Sequence, residues 1–270
     1  MKNLITKEDL ESLDYKGFVI KKNVINFETI KKIKSIVLKN SEGKGNPDTH
    51  YPIKLKSFLI KCLKLDFNRV LNSFYLLRLK DKLELDYHAS NIFKKPAELT
   101  MLDGYYNKKT SKEILPWHSD QAFGGKKDVK NFKSPNYFFY KFFIYLTSVG
   151  PGNGCTSFIP GSHLITYAVR DCIYKKEINY QPFWSISQLL EIINRKENFN
   201  LIYSKISNKE LFNSFIRNAE ICIKDNNDKS FDFDASPGDI LIFNETGVHR
   251  GSKPILDDRV VIRYLYKKKN

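Results

Sequence analysis

The run Tyr137 to Val149, YFFYKFFIYLTSV, constrains the fold more than any other part of the chain. Its aromatic and β-branched density suits a strand in the core of a β-sheet or barrel. Two further runs point the same way. Ser236 to Phe243, SPGDILIF, reads as a turn built on Pro237, Gly238 and Asp239, followed by a short buried strand. Arg259 to Tyr266, RVVIRYLY, is again rich in β-branched and aromatic residues, and Glu98 to Asn107 reads as another strand. Hydrophobic residues make up 41% of the 270 residues, with 20 Phe and 15 Tyr, so a substantial aromatic core can form. A closed or sandwich-like β-domain of about 200–250 residues with helical decoration fits this length.

The candidate chemistry lies between these strands. PWHSDQAF carries His118, Ser119 and Asp120, and NETGVHRGSKP carries His249 far downstream. On extended backbone, side chains at i and i+2 point the same way, so His118 and Asp120 can converge on one ion while Ser119 points elsewhere. Two imidazoles and one carboxylate can hold one face of an octahedral ferrous ion and leave the other face open. A bare His-x-Asp pair is more often a hydrogen-bonded pair. The context of His249, just after one buried strand and just before another, is what favours a metal. Antiparallel strands at that separation would bring Arg259 near the second histidine, where a guanidinium can grip a carboxylate with two hydrogen bonds.

With these residues in view, the chain resembles the phytanoyl-CoA dioxygenase family. The likeness rests on WHSD, then GPGNGCTSFIPGSH (Gly150 to His163), then VHRG and a trailing arginine, with YKGFVIKKNVI (Tyr15 to Ile25) near the start. It runs from Leu10 to Tyr266 and thins between Leu164 and Ser230. The resemblance implies a mainly β fold with α decoration: a double-stranded β-helix (jelly-roll, cupin-like) with N-terminal helices and a helical insertion. It implies Fe(II), 2-oxoglutarate as co-substrate and O2, with His118, Asp120 and His249 as iron ligands and catalytic centre. Arg259 would take the far carboxylate of 2-oxoglutarate, with Arg263 on the same strand face as its rival and a salt bridge to Asp257 or Asp258 as the alternative. The family often has a serine two residues after the second histidine. Here Gly251 stands there and Ser252 follows, a candidate co-substrate contact. Trp117 and Gln121 flank the ligands and could touch substrate, Trp117 equally well being packing. Asp120 stands where related halogenases have a small residue, which disfavours halogenation.

The expected activity is hydroxylation of a small-molecule metabolite with release of succinate and CO2. The alternative is a cupin-like metal enzyme or binding protein that does not use 2-oxoglutarate. Lys and Arg exceed Asp and Glu to give a net charge of +15, which can favour a nucleic acid or an anionic membrane as partner. The lysines are spread along the chain without an RNA-binding or zinc-finger motif, so the expectation is a solvated basic surface that would attract an acidic substrate. No apolar stretch of about 18 residues and no signal-peptide core occurs, which makes a cytoplasmic protein without a membrane span the default. Cys62, Cys155, Cys172 and Cys222 are scattered and read as reduced thiols.

One oxygenase domain over 1–270 is expected, with N-terminal support at 1–95, the β-helix core at 97–163 and 231–266, and a probable insertion or lid at 164–230. Gly17 to Lys22 reads as a strand. Asn26 can cap a helix running to Asn40 with Phe27, Ile30, Ile33 and Val37 on one face. Further helices are expected at Leu55–Leu65, Asn68–Leu83, Ser187–Arg195 and Lys209–Ala219, and a mobile loop at Gly124–Pro135. His163 reads as structural, and His50 and His88 as surface residues.

Overall fold

From Ala97 onward the strands of this chain alternate between two facing sheets. The computed structural model describes residues 4–41, 49–64, 66–120, 134–135 and 137–269. The N-terminal part contains α1 (Lys7–Tyr15), β1 (Phe18–Lys21), α2 (Phe27–Asn40), β2 (Thr49–His50), α3 (Leu55–Leu63), α4 (Phe67–Lys82) and α5 (Leu85–Phe93). Then come β3 (Ala97–Asn107), β4 (Leu115–His118), β5 (Phe139–Tyr145) and β6 (Thr156–Phe158). Four helices follow, α6 (Ser162–Tyr174), α7 (Ile186–Asn194), α8 (Lys196–Lys205) and α9 (Lys209–Lys224). The chain ends with β7 (Ile240–Asn244), β8 (His249–Gly251) and β9 (Arg259–Lys268).

One sheet has the order β1-β7-β5-β9-β3-β2 and the other β4-β8-β6. Odd strands from β3 to β9 fall in the first sheet and even ones in the second. With antiparallel pairing throughout, this is the expected double-stranded β-helix. Helices nonetheless supply about 43% of the described residues and strands about 23%.

The strand β5 shows why its sequence is apolar at almost every position. All seven of its residues are buried. Alternation sends Phe142 and Ile144 outward onto Ile33, Val37, Leu76 and Ala89 of the helices. Phe143 and Tyr145 turn inward, where they meet Phe158 and Cys155 of the second sheet. The strand β9 divides in the same way. Val260, Ile262, Tyr264 and Tyr266 face the helices, and Val261 faces the second sheet.

Asn26 caps α2 as expected, its side chain accepting from the Thr29 amide at 3.0 Å. The buried stripe is Ile30, Ile33, Ile36 and Val37. Phe27, placed on that stripe by the sequence reading, is 72% exposed. At 100° per residue it lies about 110° from the centre of the buried arc, and Ile36 completes the arc instead. Four helices escaped the sequence reading: α1, α5, α6 and α8. The helix α5 is bounded by Glu84 and Lys94, both left-handed at φ 52°, so neither cap is a glycine. The helix α6 starts inside the PGSH motif, directly after Gly161 at φ 75°. A Cβ on Gly161 would fall 2.3 Å from Leu211 Cδ1, so the turn requires glycine. The helix α8 follows α7 with only Arg195 between them, and no turn residue separates the two.

The helices α6 to α9 bury their apolar sides in a second core with Trp117, Ile159 and Val248. They therefore back the three-stranded sheet. Among the described residues, no helix is long and apolar enough to cross a membrane. The expected loop at Gly124–Pro135 lies almost wholly outside the described residues. We expect Phe142→Ala to cost about 3–5 kcal/mol and Phe27→Ala less than about 0.5 kcal/mol, both read from urea denaturation midpoints. Equal losses would contradict this assignment of inside and outside.

Candidate metal centre

The pairing of β4 with β8 sets His118 directly opposite His249. Their ring centroids are 4.3 Å apart. Each Nδ1 donates to a backbone carbonyl two residues earlier: His118 to Pro116 at 2.6 Å, and His249 to Gly247 at 2.8 Å. A carbonyl can only accept, so Nδ1 holds the ring proton and Nε2 is left with its lone pair. Asp120 completes the set. Its Oδ1 is 3.6 Å from His118 Nε2, and its Oδ2 is 3.7 Å from His249 Nε2. One ligand atom from each of the three lies within 4.8 Å of the others, and no other such cluster occurs among the described residues.

The intervening serine fixes the motif. The Ser119 amide donates to Trp184 O at 2.9 Å and the Asp120 amide to Glu245 O at 3.1 Å. The Ser119 hydroxyl donates to Thr246 O at 2.6 Å, pointing away from the ligands as alternation requires.

Protonation states suit a metal. Burial, the largest influence, pushes both imidazoles below their ordinary value, and for His249 the neighbouring His118 and Lys141 push the same way. Burial would raise the Asp120 carboxyl, but Lys141, His249 and His118 outweigh it and hold the group well below the usual carboxylate range. Two neutral nitrogen donors and one ionised oxygen donor form the donor set that suits a divalent iron. The residues fit the ion.

Three neighbours of this cluster were not anticipated. Lys141 Nζ contacts Asp120 Oδ2 and lies 3.6 Å from Glu245 Oε2. Trp184 stacks on the His118 ring at 4.7 Å. The signal for Lys141 was present: a single charge within FFYKFFIYL, in a strand otherwise apolar. Glu245 sits four residues before His249, but nothing marks it out from a solvated acid. Trp184 lies in a connection with no motif.

Arg259 and Arg263 have different surroundings. Arg263 is buried against Asp103, its Nε donating at 2.9 Å, and Asp103 also pairs with His50. Arg259 is also buried, but its partners are neutral. It donates to Asn107 Oδ1 and Thr156 Oγ1, each at 3.3 Å. Its Nε has no partner among the described residues, and the rings of Phe143 and Tyr145 flank it at 5.9 Å. Asp258, considered as a salt-bridge partner, accepts instead from the Tyr106 hydroxyl and the Lys109 amide, both at 2.8 Å. A buried guanidinium without a carboxylate is costly unless an anionic ligand completes it. Ser252 is buried, with its hydroxyl 3.5 Å from Cys155 Sγ.

The remaining candidates are placed as follows. Trp117 is 2% exposed and faces the helical core, edge-on to Phe231 at 6.2 Å and under Arg250 at 4.8 Å. It is a packing residue. Gln121 lies outside the described residues. His163 is structural: its Nε2 donates to Asp14 O at 3.3 Å. His88, read as a surface residue, is buried at 2% exposure beside Ala89 of the helical core. The half-exposed His50 is ion-paired rather than free.

Comparison with known proteins agrees with this geometry. The family model for phytanoyl-CoA dioxygenase (PhyH) matches residues 13–254. The chain belongs to that family. Membership bears out the enzyme class, a 2-oxoglutarate-dependent oxygenase. Among solved structures, HygX from Streptomyces hygroscopicus, with nickel and 2-oxoglutarate bound, superposes with a TM-score of 0.55 at 17% identity, covering 98% of this chain and 87% of that one. EctD from S. alaskensis, with bound Fe, gives 0.57 at 13% identity over 99% and 78%. The non-heme alpha-ketoglutarate-dependent epimerase SnoN from nogalamycin biosynthesis gives 0.54 at 14% over 97% and 82%. At such identities these likenesses establish the fold. A comparison with curated protein sequences found no match.

The buried imidazoles carry a pH dependence. In the unfolded chain they take up protons near 6.5, and in the fold they resist. Stability is therefore complete above that pH and falls as pH drops below it, because the unfolded state binds more protons. Burial pushes His163 down to about 4, and its Nδ1 has no acceptor for an added proton among the described residues. This one group should cost about 3 kcal/mol by pH 4. His163→Asn should make the decline in urea midpoint between pH 7 and pH 4.5 shallower. An unchanged decline would show that His163 does not titrate in the unfolded state alone.

Proposed function

We propose that this chain is an Fe(II)- and 2-oxoglutarate-dependent dioxygenase that hydroxylates a C–H bond of a small-molecule metabolite. One observation carries the reading. Two imidazoles with free Nε2 lone pairs meet an ionised carboxylate, and the same inter-sheet face holds Arg259, a buried guanidinium with only neutral partners. A metal-binding protein without a 2-oxo acid would need the first feature and not the second.

In this reading His118, Asp120 and His249 hold the iron. Bound there, the ion supplies oxygen activation coupled to oxidative decarboxylation of 2-oxoglutarate to succinate and CO2. Arg259 takes the distal carboxylate, steadied by Asn107 and Thr156, while Phe143 and Tyr145 exclude water around that pair. Ser252 backs this end through Cys155. Trp184 and Phe243 hold the two imidazoles against rotation. Lys141 and Glu245, beside Asp120, face the position of the substrate and would orient its polar groups. Arg263 is excluded from carboxylate binding because Asp103 already neutralises it. Structures of HygX with hygromycin B and of SnoN with nogalamycin RO show small molecules held by this fold, which supports a small-molecule substrate here.

The test is calorimetric titration under anaerobic conditions. Asp120→Ala should abolish tight Fe(II) binding. Arg259→Ala should keep the metal affinity and weaken 2-oxoglutarate binding on the order of 100-fold, as loss of a buried charge pair does. Unchanged 2-oxoglutarate affinity in Arg259→Ala would sink the assignment and favour the cupin-like alternative. Metal-dependent succinate formation checks turnover.

A further inference from the structure

The hairpin of α3 and α4 carries an apolar surface that no described residue covers. No residue of α3 is buried. Leu55, Leu59 and Leu63, four residues apart and so in one stripe, are 76%, 56% and 83% exposed. On α4, Phe67, Leu71 and Phe74 are 54%, 64% and 51% exposed, while Val70, Ser73, Leu76 and Leu79 face inward. Phe58 stacks on Phe74 at 4.9 Å, and the two stripes meet at that ring pair. Scattered apolar side chains are ordinary on a surface, but contiguous rows mark a place of contact.

Charge identifies the partner. Between residues 54 and 78 stand Lys54, Lys56, Lys61, Lys64, Arg69 and Arg78 against a single acid, Asp66. Asp66 is already shared by Lys61 at 3.6 Å and Arg69 at 3.3 Å. Lys56 and Lys64 make no ion pair among the described residues. A second copy would bring the same basic rim, on a chain of net charge +15, so self-association is opposed. An anionic bilayer satisfies both features at once. Leucine and phenylalanine side chains enter the acyl boundary, and flanking lysines reach the headgroup phosphates. The hairpin packs through Leu76 and Leu79 on the helical side of the large sheet, away from the inter-sheet face that holds the metal ligands. We propose that the α3–α4 hairpin is a peripheral docking surface for anionic membranes, independent of the oxygenase reading.

The test is co-sedimentation of the full chain with vesicles of equimolar phosphatidylserine and phosphatidylcholine, and with phosphatidylcholine alone. Binding is expected on the first and should be weaker by about tenfold or more on the second. Leu59→Asp with Leu63→Asp, and separately Lys56→Glu with Lys64→Glu, should each weaken binding by about tenfold. Lys56, Leu59 and Leu63 are in a helix without buried residues and Lys64 is its C-cap, and circular dichroism confirms that each variant folds. Three results would overturn the proposal. The chain does not sediment with phosphatidylserine vesicles, as expected if the partner is an acidic protein. The leucine variant binds as well as the parent, so diffuse charge suffices. Light scattering shows a dimer that the leucine variant abolishes, so the surface serves self-association.

Discussion

His118 and His249 meet because β4 and β8 run antiparallel in a register that sets them opposite each other. Everything proposed for the site depends on that one pairing. A slip of one residue would turn His249 to the other face and bring Arg250 inward. The two Nδ1–carbonyl hydrogen bonds then fix the tautomers, so both free nitrogen lone pairs are available to one ion. Asp120 comes within reach because the Ser119 and Asp120 amides are tied to Trp184 and Glu245. The ligand set is thus a product of backbone hydrogen bonding, and little of it depends on flexible side chains.

The inward face of the large sheet is the second constraint. Strand alternation puts Asp103, Lys141, Arg259 and Arg263 between the sheets, where solvent is largely excluded and an isolated charge is unfavourable. Most of these charges find a partner within the fold. Lys141 meets Asp120 and Glu245, and Arg263 meets Asp103. Arg259 has only an amide and a hydroxyl. In a face where charge is otherwise matched, the unmatched guanidinium is what supports the proposed role of Arg259 toward an anionic co-substrate.

Much of this was legible in the sequence, and the failures have physical causes. The His-x-Asp spacing, the long apolar strand and the Asn26 cap are local signals, and each sits where its local chemistry places it. Phe27 failed because a helical stripe was anchored on the first apolar residue rather than on the centre of the arc. The helices α5 and α8 failed because the left-handed caps of α5 are Glu84 and Lys94 rather than glycine, and the abrupt α7–α8 junction carries no glycine or proline. Lys141 was readable as a lone charge in an apolar strand. Trp184 was not, because its contact with His118 is made only by the tertiary fold. Arg259 and Arg263 could not be separated from the sequence either: their difference lies in Asp103, a residue on another strand.

The helices between β6 and β7 bear on the metal site as well. The strands β4, β6 and β8 have only four, three and three residues, too few ladder bonds to hold three ligands in place alone. Arg250, beside the second histidine, supplies the missing rigidity. It is buried over the Trp117 ring, donates to Ser157 Oγ at 3.2 Å and pairs with Asp232 at 2.9 Å. It also reaches the carbonyls of Asn226 and Asp228, just after α9. Val248 on the other side of His249 lies in the helical core. The second histidine is therefore clamped from both neighbours by the 162–232 region. The geometry of the proposed ligands in this small sheet therefore depends on those helices.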